Sequence, residues 1–263
     1  MTDKLFISTI LLLTSCLISC NKKSDKQSEE QIVISSSVDE SSSNDSLFNS
    51  VSGNVTMKQI ATFPSKVILT GLDNHRLVSI YKSKSTTNST ENSSGSSYSY
   101  DSDESGDESI EHFMPGIDIV FGYNLLNIAH YDLKLEKGNY LFSHPVLVKT
   151  LYYPSFTPDS LDKQPINRNY YLVSVYDEDT NKDSLINKND LRRFYHFDAS
   201  SSIKKLLIPI DYSVIRSEYD SKNDLMYVFA RQDANKNGTQ DKAEPVHVFW
   251  FSLKTPDIAK LLY

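Results

Sequence analysis

Two stretches built to one twelve-residue plan constrain this chain more than anything else in it. The second, Asp233 to Glu244, reads DANKNGTQDKAE and puts Asp233, Asn235, Asn237, Gly238, Asp241 and Glu244 at its positions 1, 3, 5, 6, 9 and 12. The first, Asp179 to Asp190, reads DTNKDSLINKND and puts Asp179, Asn181, Asp183, Asn187 and Asp190 at positions 1, 3, 5, 9 and 12. The two start 54 residues apart. Oxygen donors at this spacing suit a calcium ion, which takes about six to eight oxygens at ~2.3–2.6 Å from a chain wrapped once around it. In the second loop Asp233, Asn235, Asn237, the Thr239 carbonyl, Asp241 and a bidentate Glu244 make up such a shell. In the first, Asp179, Asn181, Asp183, the Leu185 carbonyl, Asn187 and Asp190 take the same places. Ser184 stands where the second loop has glycine, and Asp190 is one methylene shorter than glutamate. The first loop is therefore expected to bind more weakly.

The flanks say what these loops connect. YYLVSVYDE precedes the first and LMYVFARQ the second, while LRRFYHFD and, after Pro245, VHVFWFSL follow them. All four runs are rich in β-branched and aromatic residues and read as strands, whereas an EF-hand needs amphipathic helices there. Further strands are expected at Lys66–Thr70, Arg76–Tyr81, Ile117–Phe121, Leu125–Leu133, Val146–Tyr153, Lys204–Ile208 and Ser213–Tyr219, with prolines and glycines at their edges. The best helix candidate is the short end Pro256–Leu262. The fold is expected to be all-β and antiparallel, with calcium loops between strands.

The 54-residue spacing carries past the loops, since Ile203-Lys204-Lys205-Leu206-Leu207 recurs as Ile258-Ala259-Lys260-Leu261-Leu262, one residue out of register. Two repeat units, each strand, loop, strand, turn, strand, result, with DYSVIRSEYD adding a strand between them. NLLNIAHYDLKLEKGNYLF supplies strands for an earlier unit whose loop is the acidic, Ser-rich insert 83–111. About three units of four short strands suit a propeller-like arrangement or an open stacked sheet.

The first residues point to export. Lys4 precedes an apolar run, Leu5 to Leu13, too short to span a bilayer, and Leu17-Ile18-Ser19-Cys20 opens onto the hydrophilic NKKSDKQSEE. This pattern resembles a bacterial lipobox, with residues 1–19 a lipoprotein signal peptide and Cys20 the lipidated residue, anchored stably by multiple acyl chains. Cys16 and Cys20 are the only cysteines, so the rest of the exported chain has no disulfide. Residues 20–53 read as a disordered Ser-rich tether, and residues 54–263 as a single β-rich domain interrupted by the insert.

Together, the lipobox, the tether and the stretches YYLVSVYDEDTNKDSLINKNDLRRFY and LMYVFARQDANKNGTQDKAEP resemble a group of uncharacterised Bacteroidota lipoproteins with EF-hand-like D-x-N-x-D-G loops between strands. The resemblance covers roughly Val146 to Tyr263. It implies an outer-membrane lipoprotein of the cell envelope, facing the periplasm or the surface, and implies no activity.

Other function classes find less support. No G-x-S-x-G, H-E-x-x-H, Walker or Rossmann pattern occurs, and the six histidines lack metal-ligand spacing, so no catalytic residue is assigned. A glycan hydrolase with a structural calcium stays as the alternative, because the separation of two carboxylates is spatial. A net charge of −7 argues against a nucleic-acid partner. The 16 tyrosines and 12 phenylalanines, with Trp250, suit either sheet packing or a groove for a glycan or protein ligand. The reading favoured is a calcium-binding lipoprotein, a binding or envelope structural module. Mass spectrometry of the mature chain is expected to find lipidated Cys20 at its N-terminus, and Cys20→Ala to leave the precursor unprocessed; a start at any other residue would refute the anchor.

Overall fold

A computed structural model describes residues 50–83 and 114–263. The signal peptide, Cys20, nearly all of the tether and almost the whole insert lie outside these residues. Among the described residues there is no α-helix, only a single 3-10 turn at Met57–Gln59, and antiparallel sheets account for the architecture. Among these residues no sheet closes into a barrel.

The strands form three successive four-stranded meanders. The first is β2 (Thr62–Leu69), β3 (His75–Lys82), β4 (Ile117–Asp132) and β5 (Lys137–Tyr140), after a two-residue β1 (Val51–Ser52). The second is β6 (Leu147–Pro154), β9 (Tyr170–Tyr176), β11 (Arg193–Asp198) and β12 (Lys204–Leu206). Between its members lie the small hairpin β7 (Asp159–Leu161) and β8 (Gln164–Ile166), and β10 (Leu185–Ile186). The third is β13 (Tyr212–Asp220), β14 (Leu225–Gln232), β15 (Val246–Ser252) and β16 (Lys260–Leu261). Each meander thus carries its long connection at the same place, between its second and third strands: the insert, the first loop and the second loop.

The units are not separate, equal blades. The long β4 pairs with β3 and β5 through its second half and with β6 through Ile117–Phe121, so the first two meanders merge into one eight-stranded sheet. The changeover falls at a register shift between Phe121 and Leu125. There a Cβ on Gly122 would stand 1.9 Å from the Val148 carbonyl, so only glycine lets the strands approach. The third meander is a sheet of its own.

Burial follows from this stacking. Tyr171, Val173 and Val175 of β9 face a core shared with Leu77, Leu125 and Ile128 of the first meander. Tyr170 and Leu172, on the opposite face, pack with Met226, Val228, Ala230, Phe249 and Phe251 of the third. A strand buried on both faces needs no polar alternation, which is why YYLVSVY is almost continuously apolar. β14, covered on one face only, alternates: Met226, Val228 and Ala230 are buried, and Tyr227, Phe229 and Arg231 are half-exposed. Trp250 lies on that open face with the Lys260 ammonium 5.0 Å from its ring centre.

Two sequence expectations need correction. Pro256–Leu262 is not a helix: Lys260–Leu261 pairs with β15 as β12 pairs with β11, because bonding an open sheet edge satisfies more backbone than one isolated helical turn. The tether ends earlier than Gly53. Val51 is 3% exposed, and β1 pairs with β10 inside the first loop, closing a small core with Leu126, Leu147, Tyr176 and Ile186.

A buried ion pair ties the third meander to the second. Arg168, just before β9, meets Asp224, just before β14, through two bonds of 3.0 and 2.7 Å, both side chains being 1% exposed. The guanidinium also donates to the Leu253 carbonyl at 2.6 Å and the Pro115 carbonyl at 3.2 and 3.3 Å. Burial alone would lower the Arg168 pKa; the Asp224 carboxylate, with Tyr170 and Tyr219 nearby, more than offsets this and raises it. Removing one partner strands a buried charge. Arg168→Leu is therefore expected to cost about 3–5 kcal/mol in urea unfolding, and the double change Arg168→Leu/Asp224→Leu less than either single one. A loss below about 1 kcal/mol for the single change, the scale of an exposed pair, would contradict the clamp.

Candidate metal centre

Both twelve-residue loops fold to one pattern, traced by their own oxygens. In the first loop the Asp183 amide donates to Asp179 Oδ1 at 3.1 Å and Asn181 Oδ1 at 3.0 Å, and in the second the Asn237 amide donates to Asp233 Oδ1 at 3.0 Å and Asn235 Oδ1 at 2.9 Å. The next amides, Ser184 and Gly238, reach Asp179 Oδ2 and Asp233 Oδ2 at 2.8 and 3.0 Å. Leu185 and Thr239 then donate to Asp183 Oδ1 and Asn237 Oδ1, each at 2.8 Å. Asn187 Oδ1 and Asp241 Oδ1 accept from the amides two residues on, at 2.8 and 3.0 Å. The side-chain oxygens of positions 1, 3 and 5 are thus gathered inside one turn, each with a further lone pair left to use.

Backbone conformation repeats as well. Lys182 and Lys236 at position 4 have φ of 63° and 58°, and Ser184 and Gly238 at position 6 have φ of 71° and 72°. Ser184 therefore takes the left-handed conformation that glycine would take, at some energetic cost. What demands glycine at 238 is contact: a Cβ there would lie 1.9 Å from the Thr180 carbonyl of the first loop, whereas Ser184 is exposed. The serine reflects a position with room around it.

The position-12 residues differ most. Asp190 is 0% exposed; its Oδ1 accepts from the amides of Thr180 at 2.8 Å and Asn181 at 3.3 Å, and its Oδ2 from Asn187 at 2.8 Å. Burial raises its pKa, and the amide donors pull it back without overcoming that. The second loop has glutamate in this place. Glu244 Oε1 accepts from the Asn235 amide at 3.3 Å, while Oε2 is buried and has no hydrogen-bond partner. A buried carboxylate oxygen without a donor is costly unless a cation meets it. The second loop therefore suits an ion by its orphaned oxygen, and the first less well, because short Asp190 is already engaged. Among the described residues no three His, Cys, Asp or Glu side chains converge as a ready metal cluster, each loop mixing carboxylates with asparagine amides and carbonyls.

Beside the first loop lies an open depression of about 540 Å³ lined in part by Gly53, Asn54, His144, Asp177 and Glu178. Asp177 accepts from the Tyr195 hydroxyl at 2.8 Å, and Glu178, its neighbour in sequence, is exposed. His130 is buried, with its Nε2 3.0 Å from His75 Nδ1 on the adjoining strand, a cross-strand pair that sequence spacing does not suggest. His247 Nδ1 lies 2.9 Å from the Tyr212 hydroxyl. Thr180, at position 2 of the first loop, and β1, paired with Leu185 and Ile186, carry no ligand signal in the sequence.

The contact at residue 238 yields a direct test. Gly238→Ala is expected to destabilise the chain by about 2 kcal/mol or more, through left-handed backbone and collision together. Ser184→Gly should be neutral or stabilising by up to about 1 kcal/mol. Equal effects of the two substitutions in chemical denaturation would contradict the contact. No protein-family model matches the chain, and comparison with curated proteins finds no match.

Proposed function

We propose that this chain is a calcium-binding lipoprotein of the cell envelope, anchored to the outer membrane through Cys20, whose β-rich part is a binding or structural module and not a catalyst. The observation that carries the reading is the shared hydrogen-bond pattern of the two loops, completed in the second by the unpartnered Glu244 Oε2. The three meanders are read as an open stack of sheet units with calcium loops between strands. The likeness to Bacteroidota lipoproteins noted above belongs to the same proposal. Asp233, Asn235, Asn237, the Thr239 carbonyl, Asp241 and Glu244 hold one ion; Asp179, Asn181, Asp183, the Leu185 carbonyl, Asn187 and Asp190 hold the other. All are oxygen donors, the chemistry that favours calcium over softer metals.

In this reading the ion offsets repulsion among carboxylates that the strands force together. It takes the place that disulfides hold in other exported domains, and this chain has only Cys16 and Cys20. Nothing outside the cell requires tight binding, so Kd is expected at ~10⁻⁴–10⁻³ M. A ligand that binds only the folded form stabilises by about 2.7 kcal/mol at a hundredfold excess over Kd.

Thermal unfolding in EDTA and then in calcium tests this. Calcium is expected to raise Tm by several degrees, with magnesium much less effective because it demands a smaller, near-octahedral shell. Glu244→Ala should remove most of the shift. Asp190→Ala should lower Tm in EDTA as well, since it leaves three backbone amides without their acceptor. No calcium-dependent shift would defeat the proposal.

A further inference from the structure

Position 2 of the first loop, Thr180, contributes no ligand in the twelve-residue pattern, yet its hydroxyl stands where the two loops meet. Thr180 Oγ1 accepts from the Leu191 amide at 2.9 Å. It lies 2.5 Å from the Gly238 carbonyl at the turn of the second loop and 3.2 Å from Asp190 Oδ1 at the end of the first. A threonine hydroxyl carries one proton, so it donates to one of these oxygens at a time. The two acceptors belong to different loops. A second contact, the Gln240 amide on the Asn189 carbonyl at 3.2 Å, holds the loops together independently of this hydroxyl.

We propose that Thr180 is a positioning residue that couples the two calcium loops, so that filling one tightens the other; this rests on the calcium reading above. When the second loop closes on its ion, the left-handed turn at Gly238 is fixed and its carbonyl stays against Thr180, which keeps the proton there. Asp190 Oδ1 then accepts only from the Thr180 and Asn181 amides, and the carboxylate keeps its charge for a cation at Oδ2, which accepts from the Asn187 amide alone. When the second loop is empty and its turn is loose, the hydroxyl rotates to Asp190 Oδ1 and, as a third donor there, draws off carboxylate charge that the cation would use. Linkage makes the effect mutual: an ion on Asp190 turns the hydroxyl toward Gly238 and steadies the second loop. The element with two states is one rotor, and each ion favours the same state of it.

Calorimetric titration with calcium of the EDTA-stripped full-length chain, in detergent, reads this directly. The unmodified chain is expected to bind two ions, its weaker step tightened about fivefold or more over that of the Thr180→Val variant. Thr180→Val, which keeps the shape and loses the hydroxyl, should still bind two ions, as two independent sites of unequal affinity. Thr180→Ser should keep the coupling, which separates the hydroxyl from any packing fault in the valine variant. Two independent sites in the unmodified chain, or equal cooperativity in the valine variant, would overturn the coupling and leave the calcium reading standing. No calcium heat in the unmodified chain would overturn both.

Discussion

The buried pair Arg168–Asp224 determines where the third meander sits on the second. Arg168 precedes β9 and Asp224 precedes β14, the two strands that run directly into the calcium-type loops. Joining the starts of these strands, with seven and eight residues to follow, brings their far ends to a common level. There the loops touch, Thr180 against Gly238 and Asn189 against Gln240. The apolar core between Leu172, Phe194, Met226 and Phe249 supplies attraction without direction, whereas the guanidinium, bonded to Asp224 and to the Leu253 and Pro115 carbonyls, supplies the register. Such a pair is weak as a source of net stability and strong as a specifier of arrangement.

That arrangement turns two local motifs into one surface. Each loop can shape itself with its own side chains, because asparagine and aspartate bond readily to backbone amides just downstream. What neither can do alone is explain its exceptions. Gly238 is required by the neighbouring loop, and Asp190 is held by the backbone of Thr180, Asn181 and Asn187, so its carboxylate serves the fold before it serves an ion. β1 adds a further restraint by pairing with Leu185 and Ile186. The first loop is the better buttressed of the two and the poorer in free oxygens.

Much of this was legible in the sequence, for identifiable reasons. Strand content followed from β-branched and aromatic runs bounded by proline and glycine, and β9 ends at Tyr176, where the run YYLVSVYDE turns acidic. The insert and the two loops each fall between the second and third strands of a four-stranded run. The one-residue slip after the second loop reappears in space: Tyr195 faces Leu206 across β11 and β12, while Phe249, 54 residues after Tyr195, faces Leu261, 55 residues after Leu206. Partners chosen by distance in space were not legible. Arg168 and Asp224 are 56 residues apart, and His75 and His130 are 55 apart, with no local pattern in either case. The short end at Lys260–Leu261 was ambiguous, since a run of so few apolar residues has no period until a sheet edge selects one. The open surroundings that let Ser184 stand where the second loop needs glycine are not written next to it.

In the proposed reading, sheets hold the two loops together and calcium ions hold them closed. Anomalous diffraction from crystals grown in calcium tests this most directly. A calcium peak is expected inside each loop, the stronger at Asp233–Glu244 with both Glu244 oxygens on the ion, and the weaker at Asp179–Asp190. Well-ordered loops with no peak in either, and Glu244 Oε2 instead bonded to protein or water, would contradict it.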